Sequence, residues 1–439
     1  MHRLRYWLRL IRAFLSRFKV IIIIGICLGI SLFLILSFIA PRLSGWSETR
    51  VGIAGRYSVD QLPDNILRQI SSGLTQLDAS GSVLPDMASS WSTTDNGKTW
   101  IFKLKHNLTW QDGRSVVSKS ILYQFSDATI SYPDAQTITF TLQNAYSAFP
   151  SVVSRPVFRE GLLGTGEWRV KNLELAGSYV DQIILENSAK NRIIYKFYPT
   201  EDDAKLAFEL GQVDSLTDLL DPGPLNSWPK NKIVKNTNKN EYVAVFFNMN
   251  DQAMSDKSLR QALSYGTQKT NLGGERAIGP ISSNSWAYNS QVKPYDYDPL
   301  KAKTMIAALT NAEKNNLNIT LTTSPLLLPQ AELIQKDWEA VGVKTTLQVV
   351  SNVPTNFQAL LAIFDTPSDP DQYSIWHSTQ VQTNITHYSN PRIDKLLEDG
   401  RTTINPQERK QIYLDFQRFL VEDSPAIFLY YPTTYTISR

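Results

Sequence analysis

Residues 20–40, VIIIIGICLGISLFLILSFIA, run for twenty-one positions without a charged side chain. At about 1.5 Å rise per residue, such a helix reaches roughly 30 Å, the thickness of a bilayer's hydrocarbon core. Upstream lie Arg3, Arg5, Arg9, Arg12, Arg17 and Lys19 with no acid, whereas Arg42 stands alone before Glu48 downstream. Basic flanks stay in the cytoplasm, so the sequence predicts a transmembrane anchor over 20–41 with residues beyond it outside the cell. A cleaved signal peptide fits less well. The run exceeds the ~7–15 residues of a signal core, and Phe38-Ile39-Ala40-Pro41 lacks small residues at the cleavage spacing. Cys27 follows Ile26 where a lipid-anchor motif wants a small residue, so it reads as a buried membrane residue.

The anchor changes the meaning of the overall charge. The chain of 439 residues carries 44 basic and 41 acidic groups. Seven of the basic groups and none of the acids lie in residues 1–42, leaving 37 basic against 41 acidic groups outside. No basic stripe marks that exterior, which argues against a nucleic-acid partner. The single cysteine sits in the apolar run, so neither disulfides nor a thiolate metal site supports the exterior. About 390 residues beyond the anchor exceed what one core usually serves, and two or three lobes are expected.

Beyond a polar tether at 42–50, the pattern alternates between strand and helix. Val51–Ala54 reads as a strand, and Asn65–Leu77 as a helix with Ile66, Ile70, Leu74 and Leu77 on one face. Asp78-Ala79-Ser80-Gly81 is a turn, and Asp95-Asn96-Gly97 opens a hairpin before the strand Thr99–Leu104. Ser115–Phe125 is a candidate short helix, and Thr137–Leu142 a strand. The glycine-rich stretch 161–168 lacks the lysine and spacing of a phosphate loop and reads as a backbone crossing. Strands follow at Ile183–Glu186, Arg192–Phe197 and Val213–Leu216, with a helix over Thr200–Leu210. Glu241–Met249 is a near-continuous apolar strand of the kind buried on both faces. Helices at Ser255–Lys269, Pro299–Leu309, Gln330–Val341, Pro391–Leu397 and Pro406–Val421 alternate with strands at Leu317–Thr322 and Val343–Val349. Ala426–Tyr431 closes the chain as an aromatic strand, and the alternation indicates an α/β protein.

Several pieces recur in a familiar order. They are Leu84-Pro-Asp-Met-Ala-Ser-Ser-Trp91, Asp95-Asn-Gly-Lys-Thr-Trp-Ile-Phe-Lys-Leu104, Leu108-Thr-Trp-Gln-Asp-Gly113 and Gly164-Thr-Gly-Glu-Trp-Arg-Val170. Ala204–Asp214, Phe247-Asn248, Leu259-Arg-Gln-Ala-Leu-Ser-Tyr265, Tyr297-Asp-Pro-Leu-Lys-Ala302 and Tyr388-Ser-Asn-Pro-Arg-Ile-Asp394 complete the series. In this order the chain resembles the dipeptide/oligopeptide-binding family (family 5) of extracellular solute-binding proteins, the receptors of peptide ABC importers. The resemblance implies a two-lobe periplasmic-binding-protein-like fold with ligand enclosed between the lobes. Lobe I would comprise 51–82, 161–240 and 415–439, a small subdomain 83–160, and lobe II 241–414. Two departures stand out. The stretch between Ser120 and Thr137 is shorter than the family's helix-rich insert, implying a reduced subdomain. Ala362-Ile363-Phe364-Asp365 replaces a Trp-containing segment.

The resemblance places Asp365 opposite a ligand's α-amino group, and an ammonium buried between lobes needs such a countercharge. Phe364, Asp369, Trp286, Tyr242, Asn248, Thr165 and Gly166 are the further ligand-binding candidates. Asp371, Arg169 and Lys171 fit turn or solvent roles better. Enzyme chemistry finds no motif. His106, His377 and His387 lack metal-ligand spacing, and no Gly-x-Ser-x-Gly elbow occurs. The expectation is therefore a membrane-anchored receptor for a small peptide, without cofactor, metal or catalytic residues. It would pass ligand to ABC permease subunits; a ligand-sensing or surface-interaction role on the same fold is the alternative.

Overall fold

A computed structural model describes residues 17–19, 24–25, 28–31, 33, 47–270, 272–309, 317–352 and 354–439. Among the described residues no helix is long and apolar enough to cross a membrane. Most of the expected anchor 20–41, Cys27 and the first half of the tether lie outside them.

One strand connects the molecule. Ala426–Ser438 pairs with Glu241–Phe247 over its first half, with Val243 opposite Tyr430 and Phe246 opposite Ala426. Its second half pairs with Lys232–Thr237 and meets Ser215–Leu219. Among the described residues twelve strands thereby join into one sheet. On one side lie Glu241–Phe247, Ala359–Asp365, Asn318–Thr323 and Lys344–Val349 in spatial order; on the other lie Ser215–Leu219, Glu48–Ala54, Arg192–Tyr198, Tyr179–Glu186 and Arg169–Ala176. A separate four-stranded antiparallel sheet is formed by Ala88–Thr93, Thr99–Leu104, Thr137–Leu142 and Ala128–Asp134.

The cores follow this division. The largest surrounds Tyr242–Phe247, all buried, and takes in Trp338, Trp376, Phe416 and Leu420. The first lobe holds two smaller cores, one around Ile66, Ile70 and Ile183 and one around Phe208 and Leu216. The small sheet packs Trp100, Phe102, Phe140 and Phe149 into its own core, with Phe102 and Phe140 edge-to-face at 5.7 Å. Side-chain caps set the helix starts: Thr200, Asp256, Asp298, Asn390 and Asn405 each accept a backbone N–H, and Pro299, Pro391 and Pro406 follow their caps directly.

Several boundaries differ from the sequence reading. The helix expected over 65–77 spans only Asp64–Ile70, and Thr75–Leu77 is a strand. Ser71 ends it by donating its hydroxyl to the Val157 carbonyl, and Gly73 presses against the backbone of Ser154. Over 115–125 only Ser118–Ser120 is helical, because the Ser118 hydroxyl is drawn to the Asp134 carbonyl and Ser120 caps Val117. Ala128–Asp134 and Arg169–Ala176 are strands that the sequence reading passed over. The tether is shorter than expected, since a strand opens at Glu48 in register with Arg192. The boundary drawn at 414/415 falls inside the helix Pro406–Asp423, whose Tyr413, Phe416 and Leu420 all belong to the second-lobe core. The C-terminal strand extends to Ser438 instead of ending at Tyr431.

Candidate functional site

Where the lobes face each other they border a partly open polar cavity of about 320 Å³. The first lobe contributes Asp64 and Arg68 from the helix Asp64–Ile70 and the turn 78–81; the second contributes Ser282, Asn284, Ser285 and the loop Thr366-Pro367-Ser368. Lys239 and Asn240, at the crossing between lobes, also line it.

The turn is held by its own first residue. Asp78 Oδ1 accepts from the N–H groups of Ser80 and Ser82 and from the Ser80 hydroxyl, and these bonds hold its carboxyl below the usual range. Gly81 follows with φ +78°, a conformation that favours glycine. The fixed turn touches the second lobe directly. The Trp286 N–H donates to the Ser80 carbonyl at 3.0 Å, and a Cβ on Gly81 would lie 2.3 Å from the Ser368 carbonyl oxygen.

The cations of the cavity are already matched. Arg68 pairs with Asp64 at 2.5 Å, and Lys239 with Glu275 at 2.8 Å. One hydroxyl is not: Thr366 Oγ1 is buried without a hydrogen-bond partner among the described residues. The cavity presents neutral polar side chains from both lobes, Ser80 from the first and Ser282, Asn284, Ser285 and Thr366 from the second.

The candidate residues distribute around this space. Asp365 ends its strand, exposed, directly before Thr366, and lies opposite Glu241 in the antiparallel register. Burial pushes the Glu241 carboxyl up, and the Asp365 charge adds to the shift. Burial also raises Asp218 close by. Phe364 stacks on Tyr242 with ring centroids 5.7 Å apart. Tyr242 is buried, and its hydroxyl has no hydrogen-bond partner among the described residues. Trp286 stands at the contact between lobes and meets Tyr413 edge-on at 6.3 Å. Asp369 is buried against Arg409. Asn248 sits at the far end of its strand, donating to the Phe357 carbonyl at 2.8 Å.

Thr165 and Gly166 pack beneath the helix Asp64–Ile70 instead of facing the second lobe. Gly166 donates its N–H to the Ile70 carbonyl at 2.8 Å, and the Thr165 hydroxyl accepts from the Ser72 N–H at 3.2 Å. Gln111 stitches this crossing, donating to the carbonyls of Ile70, Gly166 and Trp168. Sequence reasoning passed over Ser80, Gly81, Thr366 and Arg409. For the first two the signal was present, since Asp78-Ala-Ser-Gly81 was read as a turn. Nothing local marks Thr366 or Arg409.

The family model "Bacterial extracellular solute-binding proteins, family 5 Middle" matches residues 82–129 and 120–384. The chain belongs to this family. Its members are solute-binding receptors, and the chain is accordingly a binding protein and not an enzyme. Among relatives, the probable D,D-dipeptide-binding periplasmic protein DdpA of Escherichia coli is 22% identical over 412 residues, covering 79% of this chain and 78% of DdpA. The oligopeptide-binding protein AppA of Bacillus subtilis is 22% identical over 459 residues, covering 86% and 84%. The solved ABC transporter substrate-binding protein CtaP of Listeria monocytogenes superposes with TM-score 0.75 at 19% identity, covering 90% of this chain and 94% of CtaP. The two-lobe α/β fold is thus the family's own, and the cavity lies between those lobes.

Proposed function

We propose that the protein captures short peptides between its lobes and delivers them to an ABC importer in the membrane that anchors it. The observation that carries this reading is the polar cavity shared by both lobes, with the unpartnered hydroxyl of Thr366 at its wall. A peptide main chain supplies donors and acceptors to both sides at once. Ligand that bridges the lobes favours closure in proportion to its better contacts there. The names of the relatives DdpA and AppA, which specify dipeptide and oligopeptide binding, support the ligand class.

In this reading the lobes turn about Asn238–Asn240 and the middle of the C-terminal strand. Asp365 pairs with the ligand's α-amino group. Trp286 and Asp369 border the ligand, and Phe364 and Tyr242 shape the wall behind it. The run 20–41 spans the membrane once, with residues 1–19 cytoplasmic, and tethering raises the receptor's concentration beside its transporter.

The test is a thermal-shift and calorimetric screen of the full-length protein in mild detergent against di- and tripeptides. Peptides that raise Tm support the reading; shifts produced by sugars or metal chelates and by no peptide overturn it. Retention of the protein in membranes after alkaline extraction supports the anchor, and release contradicts it.

A further inference from the structure

Beyond the polar cavity lies a second one of about 720 Å³, between the small subdomain and the second lobe. Trp91 and Trp100 line it from the subdomain; Trp286, Arg409 and Lys410 line it from the second lobe. It continues the first. Gly81 borders both, and the neighbours of its first-cavity residues line it: Ser82 and Val83 follow the turn, Trp286 follows Ser285, and Asp369 follows Ser368. The Ser80–Trp286 hydrogen bond marks the waist between the two. At the rim, Ser147 donates its N–H to the Arg401 carbonyl at 2.6 Å and its hydroxyl to the Gly400 carbonyl at 3.1 Å, so both walls are in place.

The chemistry changes across the waist. The first cavity presents hydroxyls and carboxylates, and the second presents indole rings. The volume lies in the range of small-ligand sites and leaves room for a large side chain. Of its two basic groups, Arg409 is consumed by Asp369. Lys410 is exposed and forms no ion pair among the described residues. An indole-lined space beside one unmatched cation complements an aromatic ring that carries a nearby carboxylate.

We propose, resting on the peptide reading above, that the preferred ligand is a short peptide ending in a large aromatic residue, its ring between Trp91 and Trp286 and its terminal carboxylate at Lys410. The amino end then lies in the polar cavity, and the waist passes the main chain.

Isothermal titration of the full-length protein with Ala-Ala-Ala, Ala-Ala-Trp and the C-terminal amide of Ala-Ala-Trp tests this. Ala-Ala-Trp should bind at least about ten-fold more tightly than Ala-Ala-Ala. Trp91→Ala should shrink the preference for Ala-Ala-Trp over Ala-Ala-Ala to within about three-fold. Trp91→Leu serves the same purpose if Trp91→Ala does not fold. Amidation should weaken binding several-fold, and Lys410→Met should erase that difference. Equal affinity for Ala-Ala-Ala and Ala-Ala-Trp, or a preference that survives loss of Trp91, overturns the inference and leaves the peptide reading standing. Failure of all three peptides to bind overturns both.

Discussion

Arg409 grips Asp369 through two parallel hydrogen bonds, Nη1 to Oδ2 at 2.9 Å and Nη2 to Oδ1 at 2.5 Å, with both side chains buried. Burial works against the charge on Arg409, yet the bonds to Asp369 and the neighbouring Tyr413 hold its pKa above the ordinary value. The pair locks the loop after Ala359–Asp365 onto the helix Pro406–Asp423, and the Asp369 charge is met from within. Asp369→Ala leaves a buried guanidinium without its partner, and urea unfolding should show a loss of about 3–5 kcal/mol. The double variant Asp369→Leu with Arg409→Met should recover most of that loss, because no charge is stranded. A double variant as unstable as the single one would contradict this account.

Glu241 and Asp365 form the opposite case, two carboxylates facing each other across adjacent strands. Burial and the Asp365 charge raise the Glu241 pKa above its unfolded value. The folded state therefore binds more protons in the window above the usual carboxylate range. Charged Glu241 costs stability at neutral pH, and the cost vanishes as pH falls below its unfolded pKa. Glu241→Gln should raise Tm at pH 7 without added peptide, with the gain fading near pH 4. Asp365→Asn should move the Glu241 titration, followed by carboxyl NMR, back toward its ordinary range. In calorimetry, Asp365→Ala should weaken peptide binding about ten-fold or more. Unchanged affinity removes Asp365 from its assigned role.

Local chemistry made much of this fold readable. The caps Thr200 and Asp298, the turn at Asn96-Gly97 and the apolar run at Tyr242–Phe247 each carry their signal within a few residues. The strand reading failed where periodicity was weak, as in Arg169–Ala176, mostly exposed on a sheet edge. The helix over 65–77 failed because a tertiary contact, Ser71 to Val157, overrode an intact apolar spacing. The site was less legible for the same reason. Asp369 reads as a ligand-binding candidate in the sequence because its partner Arg409 is 40 residues away. The value of Thr366 lies in a bond it does not make, which only packing reveals.

Asp423 provides an acid-stability signature. It accepts from the Tyr388 hydroxyl at 2.6 Å, Asn390 at 2.7 Å and Lys257 at 2.7 Å. Burial pushes its carboxyl up, but these partners outweigh it and hold the pKa below the usual range. The stability it contributes is present above its unfolded pKa and lost as pH falls through the folded value. Asp423→Asn should therefore lower Tm at pH 6, with the difference from the unaltered protein narrowing steadily below about pH 4. A difference independent of pH would assign the loss to packing instead.

Gly81 tests the closing contact itself. It holds φ +78°, and a methyl group there would meet the Ser368 carbonyl oxygen at 2.3 Å. Gly81→Ala carries two separable effects. The backbone conformation costs about 1 kcal/mol wherever the lobes stand, and appears as a small drop in Tm without ligand. The clash with Ser368 exists only when the turn meets the second lobe, so it acts on the closed arrangement alone. A variant that resists closure loses affinity by the amount its closed state is disfavoured, here about ten-fold or more. Calorimetry with a bound peptide reads that loss, and small-angle scattering should show a smaller compaction on peptide addition than in the unaltered protein. If affinity and compaction both match the unaltered protein, the Gly81–Ser368 contact is not part of the ligand-bound arrangement, and closure proceeds through other surfaces.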